Sequence, residues 1–459
     1  ELFSKLFSII EIEPIIGDSV RVNISITEGE DVIIKNTYIE GVDLSDSNFV
    51  TRELLYQNGE YYDPNKIEKS KRRLKETGIY SLINITPVKV SDSDSLVNIV
   101  LTLSEFKQRE WLSVGGFEPI EFYEGLDPLP SLGGFVEWRN RSIFNTNSNF
   151  STKFLIGFPW ETNFNLPRLR YDIGFDTNWI LGIRWPTKLN SFYETLINYD
   201  QENIDQVERY GLEMLQRVML DERSYFQNIT VWENFSDNSV NSLDTSGSLN
   251  RIISVKNLQQ RSLSFRLHID KKDDPLFPKK GFLLDLYFKS TGYLLGGERD
   301  YYKLDFSLQK YFKLSRKSVL ATRFKLGRLW SWEDSYIDYS YEKFYLGGSA
   351  NMRGWDILKY STSNNPGDVP LGGTFRYLTN IEFRNQLNQN LGMYLFFDGG
   401  ILSEDFDRSI RSRLGWDIGL GLTISTPLGP VRLDYAIPNI NNEVILSNGK
   451  FNFGVQYLF

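Results

Sequence analysis

The sequence predicts a mainly β protein: a transmembrane antiparallel β-barrel of about 16 strands, preceded by α+β modules. Three observations carry this prediction. From about Arg109 to Phe459, apolar and polar residues alternate with period 2 in one segment after another. No stretch approaches the ~18 apolar residues of a membrane-spanning helix, although 15% of the 459 residues are aromatic. Before Arg109 helical spacing interrupts the alternation, and one short pattern occurs twice.

The repeat comes first along the chain. Phe7-Ser8-Ile9-Ile10-Glu11-Ile12-Glu13-Pro14-Ile15 matches Tyr80-Ser81-Leu82-Ile83-Asn84-Ile85-Thr86-Pro87-Val88 at an offset of 80 − 7 = 73. Val22-Asn23-Ile24 matches Val97-Asn98-Ile99 at 97 − 22 = 75, so each copy ends in two strands joined by a turn, at Gly17-Asp18 or at Ser91 to Asp94. The complete copy adds a strand from Val32 to Ile39 closed by Gly41, a short helix near Asn48 to Leu55, and a helix from Pro64 to Thr77. Pro64 suits a first helical turn and Gly78 suits the exit. The order strand, helix, helix, strand, strand resembles a POTRA domain, the periplasmic module that precedes certain outer-membrane barrels. On that resemblance, residues 1–29 are the C-terminal part of one POTRA domain, 30–107 a complete one, and 108–459 the barrel. Glu1-Leu2-Phe3 shows neither an initiator Met nor a signal-peptide pattern, so further sequence is expected upstream.

In the second part the alternation keeps one face apolar. Leu263, Phe265, Leu267 and Ile269 oppose Ser264, Arg266, His268 and Asp270; Phe282, Leu284, Leu286 and Phe288 oppose Leu283, Asp285, Tyr287 and Lys289. Tyr302, Leu304, Phe306 and Leu308 follow the same rule, as do Ile418, Leu420, Leu422 and Ile424 and the terminal Phe451, Phe453, Val455, Tyr457 and Phe459. A half-buried sheet in a soluble protein would alternate too. Three further features favour the membrane: the polar face is charged, as a wet lumen requires; tight turns such as Pro427-Leu428-Gly429-Pro430 alternate with polar stretches such as Asp237 to Asn250; and the chain ends on an aromatic. The 459 − 108 = 351 residues give about 22 per strand and connection over 16 strands, which suits membrane strands of ~10 residues.

Composition narrows the chemistry. There is no cysteine and a single histidine, which excludes disulfides, thiolate nucleophiles, zinc fingers and any site with two histidine ligands. Lys plus Arg number 51 against 59 Asp plus Glu, a net charge of −8 that argues against nucleic acid as a partner. His268 has Asp270 and Ser264 as neighbours of like parity, which inward alternation explains, and no Gly-x-Ser-x-Gly elbow lies nearby. Gly347-Gly348 and Gly372-Gly373 lack the strand-to-helix context and the lysine of a phosphate loop. The expectation is a protein with no catalytic, cofactor or metal residues, and not an enzyme.

Four stretches resemble the outer-membrane protein assembly superfamily of BamA and TamA type. Asp270 to Gly281 looks like its periplasmic-side turn, with Lys272 in place of the usual Arg, and the Pro and Gly are expected to set that turn. Leu346-Gly347-Gly348-Ser349-Ala350-Asn351-Met352-Arg353-Gly354-Trp355 resembles the signature of a long extracellular loop that, in relatives, folds back into the lumen. Gly419-Leu420-Gly421 through Asp434-Tyr435 looks like the penultimate hairpin, and Phe451 to Phe459 the C-terminal strand signal. Met352, Arg353, Gly354 and Trp355 are therefore the candidate loop residues. Strand parity puts Asn380, Glu382 and Arg384 on one face and Phe396, Asp398 and Gly400 on another, both inferred inward. An arginine among lumenal carboxylates makes charge-assisted, fork-shaped hydrogen bonds, so Arg353 is expected to meet Asp398 first and Glu382 second, near Phe396.

The resemblance also implies a seam between the first barrel strand (Leu112, Val114, Gly115, Gly116) and the last (Phe453, Gly454, Val455, Tyr457, Phe459), weakened by the adjacent glycines. It implies insertion of other β-barrel proteins through that lateral gate, because a client strand cannot cross lipid with unpaired backbone groups. The POTRA strand edge would receive extended clients by β-augmentation. Implied partners are unfolded outer-membrane clients, the lipid bilayer, and periplasmic or lipoprotein accessory subunits, at an outer membrane that includes the organellar case. Two other readings stay open: a two-partner-type polypeptide secretion pore, and a barrel anchoring an upstream lipase.

Overall fold

Apolar residues at every second position of a strand need one dry face, and in the computed structural model the chain meets this need in two separate ways. The first unit is Glu1–Glu110 with Arg139–Phe150, the second Trp111–Trp138 with Ser151–Phe459. The structure describes residues 7–14, 20–27, 31–43, 46–91, 93, 95–120, 129–143, 148–159, 167–199, 204–240, 253–331, 342–360, 372–388, 390–403, 414–426, 429–440, 443–444 and 449–455.

In the first unit, β1 (Phe7–Pro14) pairs antiparallel with β2 (Val20–Thr27). The complete module follows as β3 (Ile33–Glu40), α1 (Ser47–Glu53), α2 (Pro64–Glu76), β4 (Tyr80–Lys89) and β5 (Leu96–Glu105). Its sheet has the order β3-β5-β4, with β3 parallel and β4 antiparallel to the central β5. Each helix starts on an aspartate whose carboxylate accepts a backbone N–H: Asp46 from Asn48 (3.2 Å) and Asp63 from Asn65 (2.8 Å). Proline in the first turn of α2 loses no hydrogen bond there. Ile67 and Leu74 of α2 are buried with Val97, Ile99 and Leu101 of β5, which is central and therefore the most apolar strand. Arg141 closes the module: it donates to the carbonyls of Gly78 (2.8 Å) and Lys107 (3.2 Å), pairs with Glu110 (2.5 Å) and covers the ring of Phe106.

The second unit is built on sixteen antiparallel strands closed into a barrel. In order they are β6 (Arg109–Ile120), β7 (Leu129–Asn140), β8 (Ser148–Pro159), β9 (Arg168–Ile180), β10 (Ile183–Tyr199), β11 (Ile204–Met219), β12 (Tyr225–Val240), β13 (Ile253–Asp270), β14 (Gly281–Thr291), β15 (Tyr301–Lys313), β16 (Ser318–Trp330), β17 (Phe375–Gln386), β18 (Leu391–Ser403), β19 (Gly415–Thr426), β20 (Gly429–Ile440) and, after the two-residue β21 (Glu443–Val444), β22 (Lys450–Val455). β22 pairs with β20 and neighbours β6, which closes the ring. The alternating faces sort as the sequence requires. Ile418, Leu420, Leu422 and Ile424 are exposed outward, whereas Asp398, Asp417 and Asp434 are buried inward.

Strands β10 to β13 are 16–18 residues long, beyond the ~10 needed to cross the bilayer. Asp237 to Val240, expected in a loop, pair with Ile253 to Lys256. Backbone pairing continues past the apolar band because polar side chains cost nothing in water; polarity alone does not mark a loop. β6 leads away from the end at which residue 109 joins the barrel. Turns 271–280, 314–317 and 387–390 lie at this near end, and the 331–374 connection at the far end.

The Asp270–Gly281 turn is also ordered by more than its proline and glycine. The carboxylate of Asp273 accepts from the backbone N–H of Lys279 (2.9 Å) and Lys280 (3.0 Å), and that of Asp274 from Leu276 and Phe277 (both 2.8 Å). Gly281 is required in turn: its φ is +106°, and a Cβ would lie 2.1 Å from the carbonyl oxygen of Lys271.

Candidate functional site: the lumenal loop and the seam

The described part of the far-end connection, 342–360 and 372–374, turns back against the inner barrel wall. Its first hairpin is local. The side-chain oxygen of Asn351 accepts from the N–H of Gly347 and of Met352 (both 2.7 Å). Met352 and Trp355 then pack with Leu346, Tyr360 and Leu378, so the apolar residues of the motif anchor the loop where water is excluded.

That anchoring delivers Arg353 to the wall. The guanidinium is 0% exposed, and a buried charge is tolerable only when paired and hydrogen-bonded. Nε and Nη2 donate to the two oxygens of Asp398 (both 2.8 Å), and Nη1 donates to Glu382 (2.8 Å). The plane also lies 3.5 Å above the ring centroid of Phe396, a cation–π contact in a desolvated place. Asn380 and Asp398 face one another across β17 and β18, and Asn380 donates to Asp398 Oδ1 (2.7 Å), holding the carboxylate in its fork geometry. Arg384 occupies the other oxygen of Glu382 (2.8 Å).

The glycines of the site make room. Gly354 comes so close to β19 and β20 that a Cβ would lie 2.8 Å from Asp417 and 2.9 Å from Pro438; its N–H thereby reaches Asp417 (2.9 Å). On β19, Gly419 and Gly421 leave slots for the rings of Phe396 and Tyr394, where an added Cβ would lie 2.2 and 2.3 Å from ring carbons. The sequence marks Gly354 as a loop-motif residue and Gly419 and Gly421 as parts of a hairpin motif, but not the room they leave.

Other loop contacts were not anticipated. Arg323 on β16 donates to the carbonyl of Ala350 (3.0 Å), Asn380 to that of Asn351 (2.7 Å) and Arg432 on β20 to that of Ser349 (2.6 Å). Tyr360 donates its hydroxyl to Gly400 O (2.6 Å) and accepts from Gly415 N (2.7 Å). Glu342 receives Lys289 (2.9 Å), Lys303 (3.0 Å) and the Tyr301 hydroxyl (2.8 Å). Strand parity sends Arg323, Asn380 and Arg432 inward, but only the fold of the loop decides which of its groups they meet.

On the last strand, Phe453 pairs with Leu433, Gly454 with Arg432 and Val455 with Val431 of β20. Leu112, Val114, Gly115 and Gly116 lie on the neighbouring β6; Tyr457 and Phe459 lie outside the described residues. The inward Asn452 donates to the carbonyl of Arg353 (2.8 Å), and Lys450 pairs with Asp356. His268 meets Asp285 (2.8 Å) and stacks on Tyr225, while Ser264 donates to the backbone of Ile229, so these residues do not assemble a triad. The site is a set of fixed hydrogen bonds: a latch in chemical terms.

Comparison with known proteins bears on the family and the fold. The family model described as the Omp85 superfamily domain matches residues 140–459, and the POTRA model, described as a surface antigen variable number repeat, matches 32–105. The chain is 23% identical over 452 residues to "Outer membrane protein assembly factor BamA" of Nitratidesulfovibrio vulgaris, covering 95% of this chain and 52% of that protein. It is 26% identical over 215 residues to the "Sorting and assembly machinery component 50 homolog" of Xenopus tropicalis, covering 43% and 46%. The chain thus spans about half the length of the curated relatives it matches. Among solved structures, BamA from Haemophilus ducreyi lacking POTRA domains 1–3 superposes with a TM-score of 0.66 at 16% identity, over 98% of this chain and 88% of that one. CdiB from Acinetobacter baumannii gives 0.53 at 13% identity, over 95% and 75%. At these identities the likeness is one of fold.

Proposed function

Because the chain belongs to the Omp85 superfamily, we propose that it assembles β-barrel proteins into an outer membrane, passing client strands through the seam between β6 and β22. Residues 30–107 are read as a complete POTRA domain, 1–29 as the end of another, and 108–459 as the barrel. The POTRA modules stand on the inner side of the membrane and receive unfolded clients, together with accessory subunits. Edge strand β4 offers its outer edge for β-augmentation only up to Thr86, since Pro87 has no N–H to donate.

One observation carries the lateral route: the lumen beside the seam holds the loop of Arg353, fully buried and tied to β17 through Glu382 and to β18 through Asp398. A polypeptide threading the lumen would have to break these buried pairs. A strand that enters at the seam leaves them in place. This favours insertion over the secretion-pore alternative, which the fold likeness to CdiB otherwise keeps in view.

The test is reconstitution of the chain in lipid vesicles, followed by addition of a urea-denatured outer-membrane barrel. The expected result is faster appearance of the folded, membrane-embedded client than with empty vesicles. Client delivered into the vesicle interior would establish the pore reading; the empty-vesicle rate would exclude assembly activity.

A further inference from the structure

The turn between β13 and β14 does not stay over its own strands. In the sheet β14 and β15 separate it from β16, yet its tip, Phe277-Pro278-Lys279, lines a cavity of about 260 Å³ together with the near ends of β16 to β19. The cavity floor is made of two inward rows. Val319, Arg384 and Tyr394 stand opposite one another on β16, β17 and β18, and Gln386, Gly392 and Thr423 on β17, β18 and β19. The tip of the turn therefore reaches across the near mouth of the lumen. Its shape is set in advance by the Asp273 and Asp274 carboxylates that hold its backbone, so a ligand has little ordering left to impose.

Two features of this cavity call for a ligand. Lys279, Lys317 and Arg384 line it and, among the described residues, no carboxylate does; neither lysine ammonium has an ion-pair partner among them. Thr423 is only 3% exposed, yet its hydroxyl makes no hydrogen bond among the described residues, whereas a polar group so buried is ordinarily paired. Gly392 keeps that hydroxyl open to the cavity, since a Cβ there would lie 2.5 Å from Thr423 Oγ1.

The walls decide which anion fits. Phe277, Val319, Leu391 and the Tyr394 ring are apolar, and the Tyr394 hydroxyl is committed to Asp434. Arg384 directs Nε and Nη2 at Glu382 (2.8 and 2.7 Å), so its Nε–Nη2 fork, the geometry that grips a phosphate, is already occupied. Two point charges, one hydroxyl and an apolar wall remain, in a volume below the roughly 300–1,000 Å³ of drug-sized ligand sites. That combination matches a single peptide residue with a carboxylate beside it. We propose that the near-mouth cavity binds the carboxylate of a polypeptide together with the adjoining apolar side chain. Lys279 and Lys317 take the charge, Thr423 donates a hydrogen bond to it, and Phe277, Val319 and Tyr394 receive the side chain. That the carboxylate belongs to a polypeptide rests on the assembly reading above; the cations, the hydroxyl and the apolar wall do not.

The test uses the full chain in detergent and fluorine NMR of a small probe, N-acetyl-glycyl-glycyl-para-fluorophenylalanine. The free acid should broaden on binding and saturate, and its C-terminal amide should bind about tenfold more weakly. Lys279→Gln and Lys317→Gln should each weaken the acid about threefold and leave the amide unchanged. Thr423→Val, which keeps the size and loses the hydroxyl, should weaken it about fivefold, with folding of each variant checked by gel mobility of the unheated protein. Lys313→Gln, exposed at the same end but outside the cavity, should change nothing. A second probe, N-acetyl-glutamyl-para-fluorophenylalanine amide, carries the carboxylate on a side chain. If it binds as well as the acid, internal acidic residues serve the site; if it does not, the chain end does, and either result supports the assignment. Equal binding of acid and amide, no saturable binding of the acid, or an equal loss in Lys313→Gln would overturn it. So would displacement of the probe by inorganic phosphate at a lower concentration than by N-acetyl-phenylalanine. Client insertion at the parental rate with no probe binding would strike the site alone, whereas probe binding with insertion at the empty-vesicle rate would strike the assembly reading alone.

Discussion

Asn452 donates its side-chain amide to the carbonyl oxygen of Arg353 at 2.8 Å, so the last strand of the barrel hangs on the residue whose guanidinium is clamped by Asp398 and Glu382. The pairing couples two features that the sequence keeps about a hundred residues apart, and it connects the lumenal loop to the seam.

Arg353→Ala should release the loop and leave Asp398 buried without its partner, a local cost of about 3–5 kcal/mol. The closed sheet does not depend on it, so the barrel should still show folded mobility on an unheated gel, while limited proteolysis cuts within 342–360. Asp398→Ala should give the same cleavage, and Arg353→Lys an intermediate one because a lysine cannot span both oxygens. A proteolysis pattern identical to that of the parent chain would contradict the clamp.

Gly421→Ala should cost about 1–3 kcal/mol, because its Cβ must displace the Tyr394 ring, 2.3 Å away, together with the hydroxyl's bond to Asp434. In a Tyr394→Ala background the same substitution should cost less, since only the Asp434 carboxylate, 2.6 Å away, is left in the way, a non-additivity that urea titration in detergent will read. Additive costs would mean that the slot is not what the glycine provides.

Asp273 predicts a pH dependence of the near-end turn. Desolvation raises its carboxyl, but the backbone N–H groups of Lys279, Lys280 and Asp274 outweigh this and hold it below the ordinary value of 3.8. A depressed carboxyl stabilises the turn above that ordinary value and ceases to do so as pH falls below it, through the depressed one. Exchange protection at the Lys279 and Lys280 amides, corrected for intrinsic rates, should therefore be flat near neutrality and fall only below pH 3.8. Asp273→Ala should remove the protection at all pH values.

The sequence showed the barrel because period-2 alternation is imposed residue by residue by lipid on one side and water on the other. It also pointed to Arg353, Asp398 and Glu382: the resemblance of the loop motif implies that Arg353 folds into the lumen, strand parity sends Asp398 and Glu382 inward, and a buried arginine requires carboxylates. Which inward groups meet the loop is a matter of how an irregular segment closes on itself, and that has no period. Hence nothing in the sequence singles out Asn452, Arg432, Arg323 or Tyr360 for the loop's contacts, and Gly419 and Gly421 read as parts of a hairpin motif although their absent side chains make the slots for Phe396 and Tyr394. The strand ends failed for a related reason. Asp237 to Val240 carry loop-like residues in a ladder that continues into water, where backbone pairing needs no apolar face.

The lateral route is tested most directly by closing the seam covalently. With no native thiol present, single cysteine pairs scanned between Leu112 to Gly116 and Gly454 to Val455 should yield a register that cross-links on oxidation, with Cα atoms within roughly 4.4–6.8 Å. In vesicles, that oxidised chain should lose client insertion and recover it on reduction, while uncrosslinked single-cysteine variants remain active throughout. Insertion at the full parental rate with the seam disulfide intact would contradict passage between β6 and β22.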